Sequence, residues 1–200
     1  MDLSLSISKR ILPRAFYAHN PKWVAKNLLG KILIHKTPEG IVKGRIVETE
    51  AYYGEGDPAS HAYKGKTKRT KIMWGKPGIA YVYFTYGMHY LFNVIADREG
   101  KAGAVLIRAV EPLEGIKLMK KRRKVDKIKD LTSGPAKLTQ AFGITGKDNG
   151  VDLTSGFLTV TEEEKEEKDK IISTGRIGIK SGQEIKLRFY LANNKFVSKR

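Results

Sequence analysis

Two glutamates and a tyrosine at alternate positions, in Ile46-Val-Glu48-Thr-Glu50-Ala-Tyr52, are the side chains best placed to do chemistry. In an extended strand alternate side chains share a face. Ile46, Glu48, Glu50 and Tyr52 are therefore expected together, with Val47, Thr49 and Ala51 opposite. Carboxylates on an otherwise apolar strand are costly when buried alone and cheap when they line a cleft. A carboxylate in a half-desolvated cleft can take a proton from water. Were the target a glycosidic bond, the same charge would also stabilise an oxocarbenium-like sugar. An acid/base pair has to flank such a bond, whereas Glu48 and Glu50 at i, i+2 stand on one wall, so one of them is expected to be structural. The plain alternative is an edge strand with solvated or ion-paired glutamates.

The second cluster is Tyr81-Val-Tyr-Phe-Thr-Tyr-Gly-Met-His-Tyr-Leu-Phe-Asn93. It reads as a β-hairpin whose turn carries Tyr86 and Met88 where polar residues are usual. Tyr81 and Tyr83 share a face, and Tyr81, Phe84 and Phe92 are expected in the core. Tyr86 and Met88 project from the body as an apolar wedge, of the kind that minor-groove proteins insert between base steps. Tyr52, His61, Tyr81, Tyr83, Tyr86 and Tyr90 are candidates for base stacking, though sheet packing with hydroxyls at the rim is the ordinary use of such tyrosines. Asn93 interrupts an apolar strand, so it braces a neighbouring strand or meets a ligand edge. Arg108 ends the run Ala104-Val-Leu-Ile107 and is expected to deliver a cation to a sheet edge, as a salt bridge or a phosphate clamp.

The chain carries 38 Lys and Arg against 21 Asp and Glu, a formal charge of +17. That balance favours a polyanionic partner, most simply nucleic acid. Lys64, Lys66, Lys68, Arg69, Lys71 and Lys76, and the eight basic residues among 117–129, are suited to phosphate contact, which positions a protein without reading sequence. There is no cysteine, which excludes disulfides and Cys-based zinc sites, and His19, His35, His61 and His89 have no metal-ligand spacing. No metal or other cofactor is expected. Nor is a signal peptide or a membrane span, because no segment approaches about 18 apolar residues.

These groups have to be held by an ordered frame. Asn20-Pro21 reads as an N-cap with proline in the first turn and Gly30 as a terminator, so a short helix lies between them. Strands are expected at Lys31–Lys36, Ile41–Tyr52, Ile79–Thr85, Met88–Ala96 and Ala102–Val110. Helices follow at Leu113–Arg123 and from Ser133-Gly-Pro135 to Gly143. Phe157–Val160, Arg176–Ile179 and Ile185–Leu191 complete the strands. Strands with few helices and no βαβ rhythm indicate an α+β fold with an antiparallel sheet in one domain over residues 1–200. Residues 1–10 are expected as a flexible tail and 161–170 as a charged surface segment.

Arg45-Ile-Val-Glu-Thr-Glu-Ala-Tyr52, His61, Met73-Trp-Gly-Lys-Pro-Gly-Ile-Ala-Tyr-Val-Tyr83, Tyr86-Gly-Met88, Asn93 and Leu106-Ile-Arg-Ala-Val-Glu-Pro-Leu-Glu-Gly115 together resemble the alkyladenine (3-methyladenine) DNA glycosylase family. Ser133-Gly-Pro-Ala-Lys-Leu138 and Arg188-Phe-Tyr190 extend the likeness over most of the chain. The resemblance implies a curved antiparallel sheet with flanking helices and a protruding, DNA-inserting hairpin. It implies a metal-free enzyme, probing duplex DNA as a monomer, that flips alkylated or deaminated purines and cuts their N-glycosidic bond. By position, Glu50 would be the general base and Arg108 would orient the water. Tyr52, His61 and Tyr83 would sandwich the base, Asn93 would discriminate against guanine's amine, and Tyr86 with Met88 would fill the gap in the duplex. Such a protein belongs in a prokaryotic cytoplasm or a eukaryotic nucleus. Two other readings of the residues stay open: a non-catalytic basic nucleic-acid-binding module, and an enzyme acting on free nucleosides.

Overall fold

In a computed structural model, residues 11–85, 87–163 and 170–199 are described. The expected tail at 1–10, the centre of the charged segment at 164–169 and Tyr86 lie outside the described residues. The elements are α1 (Arg14–Tyr17), α2 (Pro21–Asn27), β1 (Ile32–Thr37), β2 (Gly40–Tyr53), β3 (Ala80–Thr85), β4 (His89–Ile95), β5 (Gly103–Glu114), α3 (Ile116–Arg123), α4 (Pro135–Phe142), β6 (Leu158–Thr161), β7 (Ile171–Thr174) and β8 (Arg188–Leu191). Among the described residues, three single-turn 3-10 helices sit in the connections.

One curled antiparallel sheet organises them in the order β3-β4-β5-β2-β1-β6. The long strand β2 is its spine. One edge of β2 pairs with β5 over most of its length. The other edge pairs first with β1 and then, at Glu48–Glu50, with β8, which carries β7 beyond it. The edge-strand reading of the glutamates is thus corrected: they sit in the most enclosed strand of the sheet, and both are 0% exposed.

Local signals explain the helices that frame the sheet. Asn20 accepts a hydrogen bond from the Trp23 N–H at 3.0 Å, and Pro21 occupies the first turn, where its missing N–H costs nothing. Helix α4 also opens on proline and stops at Gly143 in the left-handed conformation. Val24, Ala25 and Leu28, with Leu138, Ala141 and Phe142 of α4, are buried in the main core with Val47, Ala51, Val105, Ile107 and Phe189. A smaller cluster of Ala62, Met73, Tyr81, Ile95, Ala102 and Ala104 lies at the other end of the sheet.

Several expectations change. Leu113 and Glu114 extend β5 instead of opening a helix. Arg176–Ile179 is not a strand, since its apolar alternation belongs to a loop, and the strand there is Ile171–Thr174. Only Arg188–Leu191 of the final alternating run pairs. Phe84 is 51% exposed, not core, because its stretch of β3 has run past the body; it pairs with Tyr90 instead, ring centroids 5.0 Å apart. Arg108 lies on β5, an interior strand, so it points from the sheet's face and not from an edge.

Strands β3 and β4 pair from Ala80↔Val94 to Thr85↔His89, leaving Tyr86, Gly87 and Met88 as the connection. Gly87 has φ +68, the left-handed conformation that this short loop demands. Met88, at 69% exposed, is the most exposed of the large hydrophobic residues described.

Candidate active site

The expected alternation holds from Glu48 to Tyr52 and fails at Ile46. Ladder irregularities fall between Ile46 and Thr49, and such bulges re-aim side chains. Ile46 and Val47 consequently both enter the core. Beyond the bulge, Thr49 turns toward α2 and donates to the Ala25 carbonyl at 2.8 Å. Glu48, Glu50 and Tyr52 occupy the other face.

There Arg108 reaches both glutamates. Its Nε donates to Glu48 Oε1 at 3.0 Å and its Nη1 to Glu50 Oε2 at 3.2 Å. Burial alone would lower the Arg108 pKa, but Glu50 and Glu48 outweigh it and raise the value, so the guanidinium stays charged. Of the two alternatives for this residue, the salt bridge is the one present.

The two acids differ in their partners. An ionised carboxylate offers about four acceptor positions. Glu48 receives Arg108 Nε, Arg188 Nε at 2.7 Å, the Ser198 hydroxyl at 2.9 Å and the Ser198 N–H at 2.7 Å. Three of these donors converge on Oε1 and one reaches Oε2. Glu50 receives the Ile177 N–H at 2.7 Å on Oε1, and Tyr52 O–H at 2.8 Å with Arg108 on Oε2. One acceptor position remains, on Oε1.

A second clamp stands behind this arrangement. Arg176 donates to both oxygens of Asp57, at 2.6 and 2.7 Å, and to the Ala51 carbonyl at 3.1 Å. Its guanidinium carbon lies 4.7 Å from the centroid of the Tyr52 ring. The clamp holds the loop after β7 in place, and the next residue supplies the N–H that binds Glu50. Three carboxylates (Glu48, Glu50, Asp57) balance three guanidiniums (Arg108, Arg176, Arg188), so the buried set is neutral as a whole. Burial pushes Asp57 up, but the hydrogen bonds and charge of Arg176 prevail and hold it below its ordinary value.

Asp57→Asn should therefore cost about 3–5 kcal/mol at neutral pH, the usual result of breaking a buried pair. The sign of the pH dependence follows from the depressed folded value. The Asp57 contribution is complete above its unfolded pKa of about 4 and is lost as pH falls through the lower folded one. Melting temperature should thus drop more steeply below pH 4 in the parent chain than in the asparagine variant. Parallel acid limbs would show that the clamp contributes no linkage.

In front of the charged set is a cavity of about 410 Å³. Tyr52, His61, Tyr83, Asn93 and Arg108, all expected site residues, line it, together with Met73, Tyr81 and Leu106. Glu50 does not line it; its three hydrogen-bond partners, Tyr52, Arg108 and Ile177, do. His61 bonds the Tyr81 hydroxyl through Nδ1 at 3.1 Å and meets the Tyr83 ring edge-on, centroids 4.6 Å apart. Desolvation first, and the charge of Arg69 second, lower the His61 pKa. Asn93 does both things considered for it: its Nδ2 braces β3 by donating to the Tyr81 carbonyl at 3.1 Å, and the residue faces the cavity. The hairpin reaches the cavity through Thr85 and His89, with exposed Met88 next to His89.

Sequence reasoning missed the Arg176–Asp57 clamp, Arg188, Ser198, Ile177–Ile179 and the α4 entrance Gly134–Lys137, which also lines the cavity. The signal for α4 was present, since Ser133-Gly-Pro135 was legible as a helix start. The basic run 117–129 is partly structural. Arg122 binds Glu39 and Thr37, and Arg123 binds the Asp130 carbonyl and Gln140. Among the described residues no group of three His, Cys, Asp or Glu side chains could hold a metal ion, and no helix is long and apolar enough to cross a membrane.

A family model described as methylpurine-DNA glycosylase matches residues 15–195. Similar proteins share the name "Putative 3-methyladenine DNA glycosylase". One from Carboxydothermus hydrogenoformans is 52% identical, covering 95% of this chain and 100% of its own length. Another from Prosthecochloris aestuarii is 49% identical, with 93% and 90% covered. A third, from Methanoculleus marisnigri, is 47% identical, with 94% and 99% covered.

Proposed function

The chain belongs to the methylpurine-DNA glycosylase family, and from that premise we propose that it flips alkylated or deaminated purines out of duplex DNA and hydrolyses their N-glycosidic bond, as the first step of base excision repair. The observation that supports the assignment of roles is where each acid's partners stand: Tyr52, Arg108 and Ile177, which bind Glu50, all line the cavity, while of the residues binding Glu48 only Arg108 does. Glu48 is held by Arg108, Arg188 and Ser198 and serves as a brace for the two arginines. Glu50 lies behind its three cavity-lining partners and serves as the general base.

In the reaction the water oxygen bonds to C1′ as the bond from C1′ to the purine nitrogen breaks. The electron pair of that bond leaves with the base, and the water proton passes to Glu50. The carboxylate charge stabilises the oxocarbenium-like sugar on the way. Arg108, fixed between the two glutamates, orients the water. A cationic alkylpurine needs no protonation to leave.

The base stacks among Tyr52, His61 and Tyr83. Asn93 cannot swing aside because the Tyr81 carbonyl holds its amide nitrogen, so it is a fixed obstacle to guanine's 2-amino group. Tyr86 and Met88 enter the duplex and occupy the gap left by the flipped nucleotide. Damaged bases stack and pair poorly, which lowers the few kcal/mol of extrusion and so contributes to selectivity. The protein acts as a monomer in a prokaryotic cytoplasm, without metal or other cofactor.

The test is direct. Duplexes carrying a single 7-methylguanine or hypoxanthine are incubated with the protein and then treated with alkali. Strand breaks at the lesion, and none in an undamaged control, are expected. Binding without any alkali-labile site would leave a nucleic-acid-binding module, and hydrolysis confined to free nucleosides would make it a nucleoside hydrolase.

A further inference from the structure

Two tyrosines in the cavity wall each carry a guanidinium over one ring face, yet only one of those charges is neutralised. Arg176 lies 4.7 Å from the Tyr52 centroid and is held by both oxygens of Asp57. Arg69 lies 4.9 Å from the Tyr83 centroid. Among the described residues no carboxylate pairs with Arg69. It comes from the exposed basic segment between His61 and the 3-10 turn Lys71–Trp74. Its charge is felt at two further cavity groups. Burial raises the Tyr81 pKa and Arg69 opposes the rise, while at His61 the same charge adds to desolvation in lowering the value. Neither arginine is among the residues lining the cavity, which fits a place on the side of its ring turned away from a guest.

We infer that Arg69 is a specificity-determining residue that reads the formal charge of the base, weighting the cavity against cationic alkylpurines and toward neutral purine lesions. The inference rests on the glycosylase reading above and refines it. A cationic base is attracted to the negative face of a tyrosine ring. A guanidinium on the far face opposes that attraction by polarising the ring and by direct repulsion. With the base stacked about 3.5–4 Å from the ring, the two charges stand roughly 8.5–9 Å apart. Across a half-wet wall this separation corresponds to about a 3- to 10-fold effect. Arg176 exerts little of it because Asp57 cancels its charge. A neutral base gains the same dispersion contact from both rings and meets no such opposition. The Tyr52 wall therefore admits a cation freely and the Tyr83 wall does not.

The experiment compares single-turnover excision, at saturating enzyme, of cationic 7-methylguanine and neutral hypoxanthine from otherwise identical duplexes. The chains are the parent, Arg69→Gln and Arg69→Lys. Glutamine removes the charge, and the ratio of cationic to neutral excision should rise about 3- to 10-fold. Lysine retains a charge, and the ratio should stay near that of the parent. If both rates in the glutamine variant fall together with an unchanged ratio, Arg69 is a phosphate contact only and the inference is overturned. A ratio that rises as much with lysine as with glutamine also overturns it, because charge is then not the cause. A parent chain that excises neither base would instead defeat the glycosylase reading itself.

Discussion

Glu50→Gln should lower single-turnover excision by about 10²–10⁴-fold, the usual contribution of a positioned general base, while binding to lesion-bearing DNA stays within a few-fold of the parent. Glutamine keeps the size and can still accept from the Ile177 N–H, so the wall of the cavity survives. It cannot take a proton from water, and it no longer offsets the positive charge developing on the sugar. Glu48→Gln is the informative control. Its oxygens already hold Arg108, Arg188 and Ser198, so its loss should be read chiefly as a lower melting temperature, with a milder effect on rate. Parent-like excision by the Glu50 variant would remove that residue from the mechanism. If the Glu48 variant proves the slower enzyme at a temperature where both are folded, the two roles are reversed.

Affinity for duplex DNA should fall about 10³–10⁵-fold between roughly 50 and 200 mM salt, as expected when some 6–10 phosphates are neutralised. A net charge of +17 supplies ample cations for this. Arg122 and Arg123 are engaged inside the fold, whereas Lys64, Lys66, Lys68, Arg69 and Lys71 are exposed on the segment between the cavity and its 3-10 turn. Flanking sequence should matter little, because phosphate contacts position without reading bases. A fluorescence-anisotropy titration across that salt range gives the slope, and an affinity indifferent to salt would point away from a duplex partner.

What could be read from the residues was whatever depends on neighbours in sequence. The cap at Asn20-Pro21, the hairpin about Gly87 and the shared face of Glu48, Glu50 and Tyr52 are all local patterns, and all are present in the fold. The structural brace that distinguishes Glu48 from Glu50 is not local. Arg188 and Ser198 stand 140 and 150 positions away from Glu48, and Arg176 is 119 from Asp57. No period or spacing betrays such pairings. Arg176-Ile-Gly-Ile179 misleads for a related reason: it alternates like a strand, yet the Ile177 N–H that a ladder would have used is given to Glu50. The exposure of Phe84 has a geometric cause, since strand parity says which side a residue faces but not where the body of the protein ends.

The neutral set of six buried charges also sets a schedule for biosynthesis. Glu48, Glu50 and Asp57 are made early, while Arg176, Arg188 and Ser198 are made more than a hundred residues later. At about 5–20 residues per second of translation, the acids emerge several seconds before the groups that hold them. Until then Glu50 lacks the Ile177 N–H, Glu48 lacks two of its three partner residues, and Tyr52 lacks its rear support. A nascent chain can expose its basic segments before the buried acids have their partners. On the proposed assignment, competence to cut arrives only with the last strand.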